Sequence, residues 1–137
     1  MTTPSEIARR VEIVKRRDAY ERDPEGFRDA WADEERQTRA AIVSARARIA
    51  GMEVSDQCLE LAAGLCLSLG TDGVRGELTL MRAARAIAAL AGASSVTAHH
   101  LREAAPMALR HRLRRNPLDE TASSARIARV LDEQIPT

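Results

Sequence analysis

Aromatic side chains are nearly missing from this 137-residue sequence: they make up 2% of it, against 45% apolar residues overall. A core must therefore be built from Ala, Leu, Ile and Val, and with few glycines and few β-branched runs such a composition favours packed helices. Lysine is almost absent as well. Lys15 is the one lysine among 21 cations, the rest being arginine. Set against 20 acids they leave a net charge of +1, which excludes a general attraction to nucleic acid or acidic membranes. No apolar run approaches the ~20 residues a bilayer span needs, so no transmembrane segment is expected. The opening MTTPSEIARR lacks an apolar stretch of the kind signal peptides carry, and a cytoplasmic protein without a leader is expected. Only two cysteines occur, Cys58 and Cys66, eight apart on one expected helix. At ~1.5 Å rise per residue they lie roughly 12 Å apart, too far for a disulfide. Buried thiols in a reducing compartment are the reading that follows.

What is present reads as a series of helices and no strand. Residues 5–20 place Ile7, Val11 and Val14 at helical spacing under a strongly basic outer face, with Ser5 available as N-cap. Asp23-Pro24 reads as the N-cap and first residue of a second helix. It carries Phe27 and Trp31 and continues through Ile42, Val43 and Ile49 to Gly51. This charged, thinly apolar stretch, residues 1–52, is expected to be an arm or connecting hairpin; residues 53–137 form the helical domain proper. There Ser55 should cap a helix with Leu59, Ala62, Cys66 and Leu69 on its inner face, closed by Gly70. The loop GTDGVRGE leads to the helix GELTLMRAARAIAAL, for which Thr79 is the expected cap and Gly92 the stop. Thr97 should cap the next helix, with Val96 stapled onto Leu101. That helix is expected to run to about Arg115 with a kink at Pro106, and to end at Asn116-Pro117. A last helix carries Ile127, Val130 and Leu131. The fold class is all-α: a helical bundle preceded by a long helical arm.

Few of these residues suggest chemistry. Gly70, Gly73 and Gly76 lack the Gly-Lys-Ser/Thr of a phosphate-binding loop and serve better as turns and caps. His99, His100 and His111 have no metal-ligand spacing, so helix-surface histidines and no metal are expected. The cluster Arg110, His111, Arg112, Arg114 and Arg115 suits either a solvated helix C-terminus or an edge that contacts a partner, the latter being the favoured expectation. Without aromatic residues nearby for base stacking, nucleic acid is not the expected partner. Arg82 and Arg85 sit three apart on an alanine-rich helix. Either they snorkel to carboxylates such as Glu77 or Glu103, or one of them projects toward an anion of a neighbouring module. Spacing alone leaves both open.

GVRGELTLMRAARAIAALAG, followed by VTAHHLREAAPMALRHRLRRNPLDE, closely resembles the C-terminal helical lid of the ATPase I subunits of magnesium chelatase, which belong to the AAA+ family. Upstream, RRVEIVKRRDAYERDPEGFRDAW is similar to the segment that links the ATPase core to that lid, so the resemblance covers essentially the whole chain. It implies a lid bundle whose helix-start arginine, matched here to Arg82, is the sensor-2 residue that meets the γ-phosphate of ATP; Arg85 is left as a surface or salt-bridge residue. It further implies a parent subunit that binds ATP and Mg²⁺ in a separate core and forms a ring with neighbouring I subunits. That subunit would work with the D and H subunits to insert magnesium into protoporphyrin IX for (bacterio)chlorophyll. Walker A, Walker B, sensor-1 and arginine-finger motifs have no counterpart in these 137 residues. The chain is thus expected to be a lid and linker without its motor, binding no cofactor and hydrolysing no ATP alone. Two other classes share part of the pattern: the lid of a MoxR- or MCM-like AAA+ ATPase, and a free-standing helical module that uses the Val96–Arg115 helix against nucleic acid as in a helix-turn-helix, for which salt-sensitive DNA binding is the mark and none is expected.

Overall fold

Pro24 loses nothing by lacking an N–H in the first turn of a helix, and Asp23 before it supplies a cap: the Gly26 N–H donates to Asp23 Oδ1 at 3.0 Å. In the computed structural model, which describes residues 6–71, 73–113 and 120–135, this pair separates α1 (Ile7–Arg22) from α2 (Pro24–Ile49). There follow α3 (Asp56–Leu69), α4 (Arg75–Leu90), α5 (Ala98–Leu109) and α6 (Glu120–Gln134). The architecture is all-α. Among the described residues the only β pairing consists of two single bridges, Glu53 with Ser95 and Thr71 with Leu113. The chain divides within α2 into two compact units, Met1–Ala40 and Ala41–Thr137.

In the first unit, α1 buries no residue. Its helices turn back on each other through an aromatic cluster: Tyr20 meets Phe27 edge-on at 5.7 Å, and Phe27 lies 5.9 Å from Trp31. Arg16 sits over the Trp31 ring at 4.5 Å. Ion pairs within each helix, Arg17–Glu21 and Arg22–Asp18 among them, supply the rest. Ser5 lies outside the described residues; α1 begins behind Glu6, which makes no side-chain cap.

The second unit holds the core. Leu65, Leu69, Leu80, Leu101, Leu109 and Ile127 are its largest fully buried side chains, with Cys66. Helix α4 packs most extensively on α5, while α3 touches α4, α5 and α6, and α6 also meets α5. Ser55 caps α3 by accepting from the Cys58 N–H at 3.3 Å, and Gly70 closes it in the left-handed conformation at φ 64°. The C-terminal end of α2 belongs here too: Ala45 is buried, and Arg48 Nη1 donates to the Ala89 carbonyl at 3.1 Å. Arg102 of α5 pairs with Asp132 and donates to the Ile135 carbonyl, tying down the end of α6.

Several sequence expectations shift. Leu59 is 46% exposed, and the inner face of α3 is instead Cys58, Ala62, Leu65, Cys66 and Leu69, an i, i+4, i+7, i+8, i+11 stripe. Helix α4 starts at Arg75, one turn before Thr79; the Thr79 hydroxyl donates back to the Arg75 carbonyl at 2.8 Å, so Thr79 is interior rather than a cap. Gly76 permits that early start, because a Cβ there would lie 2.7 Å from Thr71 Oγ1 and 3.3 Å from Cys66 Sγ. Helix α5 stops at Leu109, short of Arg115. Pro106 has no N–H for the Arg102 carbonyl; the helix ends three residues later, and beyond Arg110–Arg112 Leu113 bridges to Thr71. The expected stop at Asn116-Pro117 lies outside the described residues. His100 is buried rather than on the surface: as the third residue of α5 its Nδ1 accepts from the Thr97 N–H at 3.1 Å, the reciprocal half of a capping box. Val96 and Leu101, the expected staple, are both buried.

Candidate functional site

The arginines of α4 are sorted by helical geometry. Leu80, Ala84 and Ala88 turn inward with Gly76 and Met81, and at ~100° per residue the opposite side of the first two turns carries Arg75, Leu78 and Arg82. All three are exposed, and Val74 just before them is exposed as well. Arg75 and Arg82 are seven apart, so they stand on one face about 10 Å from each other along the axis. Neither forms an ion pair among the described residues, and no carboxylate of Glu77 or Glu103 reaches Arg82 there.

Arg85 is not a surface residue, nor does it make a salt bridge among the described residues. It is half-buried on the flank of α4, and its Nε is enclosed without a hydrogen-bond partner. Glu77 is likewise half-buried with Oε2 unpartnered, on the side of α4 toward α3. Its charge is felt by Cys66. Burial first, and then the Glu77 carboxylate, push that thiol up from 9.0 to about 11, although a hydrogen bond with the Thr71 hydroxyl works the other way. A thiol held protonated in this way is no nucleophile near neutral pH. Cys58 is also buried, its Sγ donating to the Val96 carbonyl at 3.4 Å, and both cysteines are free.

The basic segment after α5 is an irregular turn. Arg110 and His111 are exposed and lie 3.3 Å apart, Nη2 to Nε2, while Arg112 is half-buried. Arg114 and Arg115 lie outside the described residues. The Thr71–Leu113 bridge fastens this turn to the loop that precedes Arg75, so the basic turn and the start of α4 are anchored to one loop. His99 is exposed and His100 is occupied by its cap, and no group of three or more His, Cys, Asp or Glu residues among the described ones is placed to hold a metal ion.

A bundle in which a helix with an exposed arginine row packs on a short α5, with α6 against α3 and α5, corresponds to a known domain: the AAA lid domain family model matches residues 59–131. This chain belongs to the AAA lid domain family. The chain is similar over nearly its whole length to the magnesium-chelatase 38 kDa subunit of Rhodobacter capsulatus, at 48% identity over 134 residues, 98% of this chain and 38% of that protein. The corresponding subunit of Acidiphilium rubrum is 52% identical over 129 residues, 94% of this chain and 37% of that one. Among solved structures, a cryo-EM-based complex between subunits BchI and BchD of magnesium chelatase is 45% identical, covers 84% of this chain and 36% of that chain, and has a TM-score of 0.41. The chain thus spans a little over a third of the length of the curated relatives it matches. No described helix is long and apolar enough to cross a membrane.

On sequence Arg82 stands out as a candidate and Arg75 does not. Gly76 read as the last glycine of a loop, and Thr79 as the first residue able to cap, so Arg75 fell into the loop. In the structure Gly73, at φ 60°, is the last left-handed residue before the helix, which begins two residues later.

Proposed function

We propose that this lid is the C-terminal module of a magnesium-chelatase ATPase subunit, which couples ATP hydrolysis to insertion of Mg²⁺ into protoporphyrin IX. The observation that carries the reading is the identity of about half the residues, across nearly the whole chain, to proteins named as magnesium-chelatase subunits. That near-continuous match supports it over the lid of another AAA+ ATPase. In this reading ATP and its Mg²⁺ are bound by an ATPase core outside these residues. The subunit assembles with neighbouring copies into a ring and acts with D and H subunits in the cytoplasm. Among the described residues no group of His, Cys, Asp or Glu is placed to hold the metal, and in this reading the lid hydrolyses no ATP by itself.

The lid's own contribution is the arginine row of α4. A guanidinium stays charged and grips phosphate oxygens in pairs, so it favours one lid position while the γ-phosphate is present and releases it afterwards. Arg82 is the residue assigned to this task by resemblance. A second reading has a specific observation behind it: the task belongs to the arginine at the start of the lid helix, and α4 starts at Arg75. Both side chains are exposed on one face, so each is free to take the role. The test is ATP-driven chelation by the full-length subunit carrying Arg82→Ala or Arg75→Ala, with helicity as control. The variant that removes the sensor should lose at least ~tenfold in turnover, the scale of a lost charge-assisted phosphate contact. Full turnover in both variants would take α4 out of nucleotide sensing.

A further inference from the structure

The last turns of α2, from Ala41 on, belong to the lid unit, yet α2 makes no close backbone approach to α4. Arg48 spans the gap with its side chain. Its Nη1 donates at 3.1 Å to the carbonyl of Ala89, in the last turn of α4. That carbonyl also accepts from the Gly92 N–H at 3.2 Å, and the Ala88 carbonyl accepts from the Ala93 N–H at 2.9 Å. Gly92, left-handed at φ 76°, makes this reversal of the chain possible. A Cβ at Gly92 would lie 3.7 Å from Arg48 Nη1, so the guanidinium rests against the reversal itself. A cation placed there faces the negative end of the α4 dipole, where the last carbonyls lack partners within the helix. One turn before Arg48, Ala45 is the one buried residue of α2. Behind both helices the Val96 N–H donates to the Glu53 carbonyl at 3.1 Å, and Met52 and Val96 are buried. The chain after α2 is thereby fixed to the chain after α4, and Arg48 makes the link from helix to helix.

The exposed arginines stand at the other end of α4. At ~1.5 Å per residue Arg75 lies about 21 Å along the axis from Ala89. We propose that Arg48 is a positioning residue: it ties the end of α4 to the end of α2, so that a displacement of the arginine row passes through α4 into α2 and the chain that leads up to the lid. Packed helices shift as bodies over small distances. A hydrogen bond from a charged donor resists separation of the two ends more than the contacts of a single alanine do. This role rests on the arginine row's sensing the γ-phosphate and is independent of the porphyrin.

The experiment is amide hydrogen exchange on the full-length subunit with Mg²⁺ and either a non-hydrolysable ATP analogue or ADP, read in residues 75–82 and in residues 41–49. In the wild-type subunit both segments should exchange differently with the two nucleotides, residues 41–49 by at least ~fivefold, the lower end of ordinary coupling between sites. Arg48→Met keeps the length and helix preference of the side chain and loses its donors. It should leave the nucleotide difference in residues 75–82 and abolish the one in residues 41–49, with far-UV circular dichroism unchanged. Arg48→Lys, whose ammonium still donates to a carbonyl, should recover most of the lost difference. Transmission that survives Arg48→Met overturns the proposal. So does loss of both responses in that variant, which would make Arg48 a support of the fold alone, or a failure of Arg48→Lys to recover the signal. A wild-type subunit that responds in residues 75–82 and not in 41–49 also overturns it, while nucleotide sensing by α4 stands. No response in either segment removes that sensing, and the role of Arg48 with it.

Discussion

The two units of this chain are built from different interactions although both are helical. The lid unit closes around Leu65, Leu80, Leu101, Leu109 and Ile127, which α3, α4, α5 and α6 contribute in turn. In the first unit α1 buries nothing, and its order comes from Arg–carboxylate pairs one turn apart and from one aromatic cluster that holds all three aromatic residues of the chain. Exposed pairs of that kind contribute only ~0.3–0.5 kcal/mol each. Burying one leucine contributes several times that. Helical content is therefore no guide to where the stability lies: the lid is held by tertiary packing, and the arm by local contacts that salt and temperature weaken first.

The comparison breaks most sharply at Leu101, fully buried where α5 packs on α4. Leu101→Ala should cost about 2–5 kcal/mol in urea unfolding followed by circular dichroism, because it removes apolar contacts and leaves a cavity that the neighbouring helices only partly fill. The matching truncation in the arm, Ile7→Ala at a position 80% exposed, should change stability by less than ~0.5 kcal/mol. Comparable losses at the two positions would show that the arm's stripe is buried in solution.

A smaller effect belongs to the lid alone and depends on pH. Cys66 has its thiol raised from 9.0 to about 11 by burial and by Glu77. Below pH 9 both folded and unfolded chains keep the proton, so the thiol imposes no penalty. Between pH 9 and 11 the unfolded chain releases it and the folded one does not. Stability should then fall by up to ~1.4 kcal/mol per pH unit in that window. Cys66→Ala should remove this part of the alkaline slope, and subtracting the two urea titrations isolates it from other groups. Parallel slopes for the two proteins would mean that the thiol ionises as readily folded as unfolded.

How far the sequence revealed the molecule follows the same division between tertiary and local causes. Capping residues act through their own side chains, so Asp23-Pro24, Ser55, Gly70 and Thr97 could each be placed from sequence, and the structure has them where expected. The failures came where a distant residue decides. The start of α4 depends on Gly76 fitting against Thr71 and Cys66, and nothing local distinguishes such a glycine from a loop glycine. Leu113 leaves the line of α5 because Thr71 bridges it, a contact across 42 positions of sequence. Burial of His100 is another case, since a capping role for histidine is not carried by the usual Glu or Gln pattern. For the same reason the arginine face could be recognised as chemically suggestive while its first member, Arg75, was overlooked.

The smallest expected effect is also the one that separates the two units most cleanly, since each has its own reporter. Trp31, the chain's one tryptophan, lies in the arm cluster, while both cysteines are buried in the lid. Trp31 fluorescence therefore follows the arm, and thiol labelling follows the opening of the lid. On heating, the Trp31 signal should change at a lower temperature than the one at which Cys58 and Cys66 become reactive, because the arm lacks a buried core to make its unfolding cooperative with the lid's. Phe27→Ala should lower the arm transition further by taking away the ring that touches both Tyr20 and Trp31, a loss of about 0.5–1.5 kcal/mol for aromatic contacts of this type. The thiol-labelling temperature should not move, since Phe27 contributes nothing to the lid core. A single temperature for both reporters, shifted together by Phe27→Ala, would mean instead that arm and lid unfold as one cooperative body and that the ion pairs of α1 stabilise far more than exposed pairs ordinarily do.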